Sequence, residues 1–222
     1  MAPTYFGREP GIDTPTAHAA PLYNRPVPLM AHFAPLDDEK TAVRRLALDR
    51  RDGLPAASRY AAANAVAARP LPGAAASSVV SGYIPIRSEF DPQPLRRRFA
   101  ESGARLALPC VLARGAPLVM RAWRFGEPLV SGQWGLREPA ADAPEVLPDI
   151  LLVPLAAFDR TGQRIGYGAG YYDMTIARLR ARKPVIAIGV AFAMQEVPRV
   201  PSDERDARLD LVLTECEAID LR

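Results

Sequence analysis

The segment DILLVPLAAFDRTGQRIGYGAGYYD, residues 149–173, decides the fold of this chain. It begins with a nearly continuous apolar run, which is typical of a strand buried on both faces. It then carries Gly166, Gly168 and Gly170, and the following TIARLRAR predicts a helix. A buried strand that passes through a glycine turn into a helix indicates a crossover connection. Crossover connections join the strands of parallel sheets.

The rest of the chain repeats this alternation. Apolar stretches predict strands in SSVVSGYIPI (77–86), RLALPCVL (105–112), PLVMRAW (117–123), PVIAIGVAF (184–192) and DLVLTE (210–215). Helices are predicted over 37–54, with Asp37 or Asp38 as the cap and Gly53 as the stop, over 56–68, and over 91–103 with Asp91 as the cap. We therefore expect an α/β fold with a mainly parallel central sheet and helices on both faces, a three-layer, Rossmann-like arrangement.

Composition divides the chain and limits its class. Residues 1–35 are rich in Pro, Ala and Thr without periodicity, so they predict a loosely ordered extension to a single domain over 36–222. A net charge of +3 from 28 basic and 25 acidic residues is small for a nucleic-acid-binding protein. The apolar runs are all shorter than the ~20 residues that a membrane helix needs.

The cysteines and the N-terminus predict the compartment. Cys110 and Cys216 are far apart and match no metal spacing, and a free thiol suits a reducing compartment. The N-terminus has no basic patch followed by an apolar core, and it carries Glu9 and Asp13, against a secretory signal or a transit peptide. We expect a cytoplasmic protein, either a monomer or a weak homodimer, without nucleic-acid or membrane partners.

The glycine turn has the composition of an anion site. It matches neither the dinucleotide pattern G-x-G-x-x-G nor the phosphate loop G-x-x-x-x-G-K-[S/T], so by itself it also fits a simple turn. Because it precedes a predicted helix, its backbone N–H groups and the helix N-terminus favour a bound phosphate. Arg164 can add a charge-assisted contact, Asp173 can hold a metal ion, and Tyr171 and Tyr172 can contact a planar ligand.

Together these residues resemble the signature of the 5-formyltetrahydrofolate cyclo-ligase family. The pattern V-P, then F-D-x-x-G-x-R-x-G-x-G-x-G-Y-Y-D, runs here from Val153 to Asp173. EKTAVRR, YIPIRSEFDPQPL, GQWGLREP and VPSDERDARLDLVLTE resemble other family segments in the same order, so the resemblance covers about residues 37–217. The chain departs from the family where Tyr167 and Ala169 stand between the glycines, where many members carry a basic residue, and where Arg205 precedes Asp206.

The resemblance implies an enzyme that converts 5-formyltetrahydrofolate and MgATP into 5,10-methenyltetrahydrofolate, ADP and phosphate. Lys40 and Arg44, four residues apart on one helical face, would contact ATP with Arg164, Gly166, Gly168, Gly170 and Tyr171. Glu89, Trp134 and Tyr172 would bind the folate, and Asp173, with Asp206 or a neighbouring acid, would hold Mg²⁺. Arg164 and Tyr172 would be the catalytic residues.

Two alternatives remain from the residues alone. A glycine turn at a strand end would also serve a sugar-phosphate isomerase or a CoA-transferase-like enzyme on a similar sheet. A basic RNA-binding module with the same fold is the other, although basic residues interleaved with aromatics are lacking. The first alternative predicts indifference to ATP, and the second predicts binding with a steep salt dependence.

Overall fold

A computed structural model describes residues 35–70 and 78–222 of the chain. These residues lie within the compact unit Ala34–Arg222. The predicted extension, residues 1–35, lies outside the described residues except for its last position. The division of the chain at residue 35 stays a prediction.

The described residues form four α-helices: α1 (Leu36–Asp52), α2 (Ala56–Ala68), α3 (Gln93–Glu101) and α4 (Tyr171–Arg180). The predicted bounds of α2 agree with the structure. The predicted cap of α1 was wrong, because Pro35 takes the cap position and Asp37 and Asp38 lie inside the helix. At α3 Pro92 takes the cap position, but Oδ1 of the predicted Asp91 accepts the backbone N–H of Gln93, the first residue of the helix. A proline suits these positions because its missing N–H would have no partner inside the helix. None of these helices is long and apolar enough to cross a bilayer.

Eleven strands lie in the same described residues. The central sheet contains β1 (Val79–Ser81), β2 (Arg105–Cys110), β3 (Val119–Ala122), β6 (Ile150–Pro154), β9 (Ile186–Val190), β10 (Leu211–Leu213) and β11 (Ala218–Asp220). Two short hairpins complete the set: β4 (Val130–Ser131) with β5 (Arg137–Glu138), and β7 (Ala157–Phe158) with β8 (Arg164–Ile165). The sequence patterns did not predict these hairpins.

The sheet order is β11-β10-β9-β6-β1-β2-β3. The five inner strands are parallel, and the edge strands β3 and β11 are antiparallel to their neighbours. From β1 the chain adds β2 on one side of the sheet, and it later adds β6, β9 and β10 on the other. The direction of winding therefore changes between β1 and β6, and ligands of open α/β sheets bind at such a point.

Helices cover both faces of the sheet, as predicted. Along β6, Ile150 and Leu152 pack with α2 and α3 on one face, whereas Leu151 and Val153 pack with α4 on the other. This alternation follows from the two-residue period of a strand. Burial on both faces explains why β6 reads as a continuous apolar run.

A core substitution tests this layering. Leu152→Ala removes a fully buried side chain, and we expect a loss of about 2–5 kcal/mol in the free energy of unfolding because a cavity remains. Leu46→Ala is the matched control, since Leu46 is 53% exposed on α1 and its loss should cost less than about 0.5 kcal/mol. Urea unfolding of both variants measures the difference. Equal stabilities would contradict the burial of β6 between two helical layers.

Candidate active site

A cavity of about 800 Å³ lies at the carboxyl ends of the central strands. Tyr83 after β1, Val111 after β2 and Pro154 at the end of β6 contribute to its wall. The glycine turn and the N-terminal parts of α1 and α4 also contribute lining residues. The cavity therefore opens at the β1–β6 boundary, where the topology predicts a ligand.

The three glycines of the turn, which we call the glycine loop (residues 166–170), differ in what they require. Gly168 and Gly170 have φ of +98° and +67°, in the left-handed region that favours glycine. Gly166 lies outside that region, and a Cβ added there would meet no heavy atom within 4 Å. Neither backbone conformation nor packing within the described residues thus explains the absence of a side chain at Gly166.

Arg44 of α1 fixes the glycine loop from one side. Its Nε donates a hydrogen bond of 2.7 Å to the carbonyl oxygen of Gly166. A Cβ on Gly168 would lie 3.5 Å from the Arg44 guanidinium carbon, so the loop and this side chain are in close contact. Gly170 precedes α4, whose first-turn N–H groups face no helical carbonyl and favour an anion.

Two of the predicted phosphate-binding cations, Lys40 and Arg164, are paired with the predicted metal-binding acids. Arg164 and Asp173 form an ion pair with an N–O distance of 2.9 Å, and the Arg164 side chain is only 4% exposed. Lys40 contacts Asp206 at 2.5 Å and Asp203 at 3.7 Å. All five side chains line the cavity, so the structure brings the predicted charges together.

The two carboxylates are suited to a divalent cation that arrives with phosphates. Oδ1 of Asp173 accepts the backbone N–H of Ala207, the residue that follows Asp206 in the chain. Asp173 therefore contacts the segment that carries Asp206. In the described residues the other oxygen of each carboxylate, Oδ2 of Asp173 and Oδ1 of Asp206, receives no hydrogen bond. Those residues contain no group of three or more His, Cys, Asp or Glu side chains arranged for a metal. Mg²⁺ on a nucleotide needs only one or two carboxylates, so the pair fits.

Asp159 holds the hairpin that leads into the glycine loop. Its buried carboxylate accepts hydrogen bonds from the Thr161 hydroxyl and from the backbone N–H groups of Thr161, Gln163 and Val200, with donor–acceptor distances of 2.6–3.2 Å. Burial opposes the charge, but these bonds outweigh it, and the pKa of Asp159 lies below its usual value. The turn between β7 and β8 is therefore fixed by one charged group, which places Arg164.

Two of the predicted folate residues, Glu89 and Tyr172, line the same cavity. Glu89 is buried in the wall, and its Oε2 accepts the backbone N–H of Ile86 at 2.9 Å. Burial raises the pKa of Glu89, and the Ile86 N–H and the charge of Arg51 partly offset that rise. Tyr172 also lines the cavity, and burial raises the pKa of its hydroxyl, which is therefore a neutral donor.

Trp134 stands beside the cavity, outside the lining of the described residues. It is 63% exposed, with φ of 55°, and its ring centroid lies 6.1 Å from that of Tyr171. Its neighbours from Gly135 to Glu138 do line the cavity. Trp134 is thus at the rim, and a ligand bound in the cavity would have to extend out of it to contact the Trp134 ring.

Sequence reasoning missed several residues around the cavity. Arg51 is buried behind the cavity wall and donates a hydrogen bond to Tyr167. It follows Arg44 by seven residues, which puts both on one helical face. Extending the analysis of that face by two turns would have included it. Asp203 precedes Asp206 by three residues and shares Lys40 with it. Glu138 lay in a segment of the resemblance but was given no role; its Oε1 accepts the N–H of Val111 at the cavity wall.

Comparison with known proteins gives consistent matches. A model of the 5-formyltetrahydrofolate cyclo-ligase family matches residues 37–215. A 5-formyltetrahydrofolate cyclo-ligase from Mycolicibacterium smegmatis is 35% identical over 187 residues, which are 79% of this chain and 93% of the relative. One from Escherichia coli strain K12 is 34% identical over 140 residues, 61% of this chain and 76% of the relative.

Solved structures of similar proteins share the fold. The 5,10-methenyltetrahydrofolate synthetase of Aquifex aeolicus superposes with a TM-score of 0.69 at 31% identity, covering 82% of this chain and 93% of that one. The corresponding protein of Mycoplasma pneumoniae gives a TM-score of 0.62 at 20% identity over 79% and 98% of the two chains, which supports the fold alone. These matches favour the cyclo-ligase hypothesis over the sugar-phosphate, CoA and RNA alternatives.

A change at Asp159 tests how the hairpin is held. In Asp159→Asn the amide NH₂ faces backbone donors, and we expect a loss of about 1–3 kcal/mol in the free energy of unfolding at pH 7. Because the pKa of Asp159 is depressed in the folded state, its contribution is complete above the unfolded value of about 3.9 and is lost as the pH falls through the folded value.

Urea unfolding from pH 7 to about pH 3 measures this effect. The stability gap between the wild type and Asp159→Asn should narrow towards acid. Asp142→Asn is the control, since Asp142 is exposed and makes no side-chain hydrogen bond within the described residues. A gap that is absent at pH 7, or that widens as the pH falls, would contradict the assigned role.

Proposed function

The chain belongs to the 5-formyltetrahydrofolate cyclo-ligase family, and from this premise we propose that it uses ATP to close 5-formyltetrahydrofolate to 5,10-methenyltetrahydrofolate. ADP and phosphate are the other products. The observation that carries the proposal is the cavity itself. The glycine loop, the cations Lys40, Arg44 and Arg164, and the buried acid Glu89 all line it. The loop and the cations suit a nucleotide triphosphate, and the acid suits an aminopyrimidine ring.

The reaction explains why a nucleotide is required. The N5-formyl group is amide-like, so its carbon is a poor electrophile and its oxygen a poor leaving group. Transfer of the γ-phosphoryl group to the formyl oxygen releases ADP and leaves an iminium phosphate, with the N5 lone pair forming the new double bond. N10 then attacks that carbon and loses its proton, and phosphate departs with the former formyl oxygen. The enzyme has to align the reactants and neutralise charge.

The nucleotide side is built from α1, β8 and the glycine loop. Lys40, Arg44 and Arg164 neutralise phosphate oxygens, and Arg164, as a catalytic residue, stabilises the charge on the transferring group. The open space at Gly166 lets phosphate approach the backbone. Gly168 and Gly170 maintain the bend, and Tyr171 places the start of α4 beside the nucleotide.

Asp173 and Asp206 would hold Mg²⁺ between the nucleotide and the protein. The two carboxylates are adjacent through Ala207, and each has an oxygen without a hydrogen bond from the described residues. A divalent cation there would neutralise phosphate charge during transfer. The chain's own contribution is to hold both carboxylates in place, Asp173 by its ion pair with Arg164 and Asp206 by its ion pair with Lys40.

The folate part of the site is built from Glu89, Tyr172 and Trp134. Glu89 accepts hydrogen bonds from the aminopyrimidine edge, and as a carboxylate it can accept them with both oxygens. The neutral Tyr172 hydroxyl donates to the reacting region while its ring packs on the pterin, and this is its catalytic role. Trp134, at the exposed rim, packs on the aminobenzoate ring. Residence in the cytoplasm and a monomeric or weakly dimeric state remain predictions.

Appearance of the methenyl chromophore tests the proposal. Pure protein with saturating 5-formyltetrahydrofolate, ATP and Mg²⁺ should form the product, with one ADP per turnover and no reaction above the enzyme-free rate when ATP is omitted. Replacing ATP by a sugar phosphate or by CoA should give no thermal stabilisation. An absence of product in the complete mixture would end the proposal.

A single methyl group tests the glycine loop. Gly166→Ala fits the backbone and meets open space, so the melting temperature should change little. The added methyl would stand where phosphate approaches, and we expect the KM for ATP to rise about tenfold or more, equivalent to ~1.4 kcal/mol of binding. Gly53→Ala, at the end of α1 with φ of −72°, is the matched control and should leave the KM unchanged. An unaltered KM for ATP in Gly166→Ala would remove the loop from the phosphate site.

A further inference from the structure

Arg51, in the last turn of α1, is a buried cation beneath the cavity wall. It is 1% exposed, and its Nη2 donates a hydrogen bond of 2.5 Å to the hydroxyl of Tyr167, a residue of the glycine loop. Its Nε donates to the Ser88 hydroxyl at 3.1 Å, and that hydroxyl donates in turn to Asp52. The guanidinium carbon lies 5.6 Å from the centroid of the Tyr167 ring. One side chain therefore joins α1, the segment before Glu89 and the glycine loop.

The charge of Arg51 is not balanced by a direct ion pair within the described residues. No carboxylate there lies within 4 Å of it, and its buried Nη1 has no hydrogen-bond partner among those residues. A buried charge without a partner is costly, and packing alone would be served better by an apolar side chain. Arg164, the other buried arginine of the site, has its carboxylate partner in Asp173. The two arginines thus have different electrostatic roles.

The carboxyl group that gains most from Arg51 is Glu89. The ionisable groups that face Glu89 or its immediate neighbours come from several elements. They are Arg51 and Asp52 from α1, Tyr83 after β1, Tyr167 of the glycine loop, Tyr172 of α4 and, on its own segment, Arg87 and Asp91. The tyrosines are neutral near pH 7, since the pKa of each of the three hydroxyls is raised. Of the two arginines, only Arg51 lowers the pKa of Glu89, and the hydroxyl of Tyr167 adds to this effect as a hydrogen-bond donor.

Tyr167 relays the position of Arg51 to the cavity. Its oxygen accepts the Arg51 bond, so its own proton is available to a second acceptor, and the Tyr167 hydroxyl lowers the pKa of Glu89. Tyr167 and Glu89 both line the cavity, whereas Arg51 lies behind them. A displacement of Arg51 would therefore reach the ligand through these two side chains.

We propose that Arg51 is a positioning residue for folate binding, which holds the Tyr167 hydroxyl and, through Ser88, the segment that carries Glu89 in place at the cavity wall. This inference rests on the proposed function, because it takes the aminopyrimidine edge of the folate as the group that Glu89 binds. Arg51 itself does not touch the substrate. Its effect is on the recognition of the folate and on the pH at which that recognition is lost.

The test compares Arg51→Met, Arg51→Lys and Tyr167→Phe with the wild type in kcat/KM for 5-formyltetrahydrofolate across pH, each rate corrected for the enzyme-free reaction. Arg51 stabilises the charged form of Glu89, so its removal raises the pKa of that group. In Arg51→Met we expect the acid limb of the profile to move up by about one pH unit or more. The KM for the folate should rise about tenfold near neutral pH, with the KM for ATP within about twofold.

The conservative variants separate charge from geometry. Arg51→Lys keeps the charge but cannot bond to Ser88 and Tyr167 at the same time, as the guanidinium does. Its acid limb should stay near that of the wild type, and its KM for the folate should rise less than that of Arg51→Met. Tyr167→Phe removes one donor to Glu89 and should give a smaller upward shift. Glu89→Gln, which cannot titrate, should abolish the acid limb. Arg50→Met is the matched control, since Arg50 directly precedes Arg51 in the same helix and is exposed.

The outcomes distinguish this inference from the proposed function. If the wild type forms no methenyl product, the proposed function fails and this inference fails with it. If the wild type is active and Arg51→Met is folded but keeps the acid limb and both KM values, only the inference is overturned. Equal losses for ATP and folate without a shift of the limb would also overturn it, since that result indicates a structural role. If Arg51→Met does not fold, Tyr167→Phe decides by the same criteria.

Discussion

The ion pair between the buried Arg164 and the partly exposed Asp173 is the constraint on which the site depends. Arg164 belongs to β8 and Asp173 to the first turn of α4, so the pair closes the two ends of the glycine loop on each other. A loop rich in glycine would otherwise cost much conformational entropy to order. A charge-assisted bond of 2.9 Å between its ends reduces that cost. The negative charge of Asp173 also lies at a helix N-terminus, where it is favoured.

Two of the three cations proposed to bind phosphate are paired with carboxylates. Lys40 is paired with Asp206 and Arg164 with Asp173, whereas Arg44 donates to the carbonyl oxygen of Gly166. On the proposed function, a nucleotide that arrived as phosphates alone would take the cations and leave two carboxylates without partners. A nucleotide accompanied by a divalent cation would satisfy both sets at once, so the pairing fits the proposed metal–nucleotide complex better than the free nucleotide.

The proposed site residues that the sequence indicates most directly are local in the chain. Gly166 to Asp173 stand within one turn and the start of one helix, so their order could be read directly. The apolar run of β6 likewise predicted a strand buried on both sides. Arg51 shares a helical face with Arg44, but no local pattern encodes its contact with Tyr167, 116 residues away in the chain. The β4–β5 and β7–β8 hairpins have two residues per strand, too few to show a period.

One cavity has to hold two reactants, and this explains its unequal walls. A phosphorylated formyl group reacts readily with water, so the space around it must be dry when the phosphoryl group moves. The inner wall is already formed by Tyr83, Glu89 and Tyr172, which are held by the sheet and α4. The outer rim at Trp134 is open, with a residue at positive φ and a largely exposed ring. An aromatic ligand that stacks there would complete the wall itself, so bound folate would exclude the water that competes with N10.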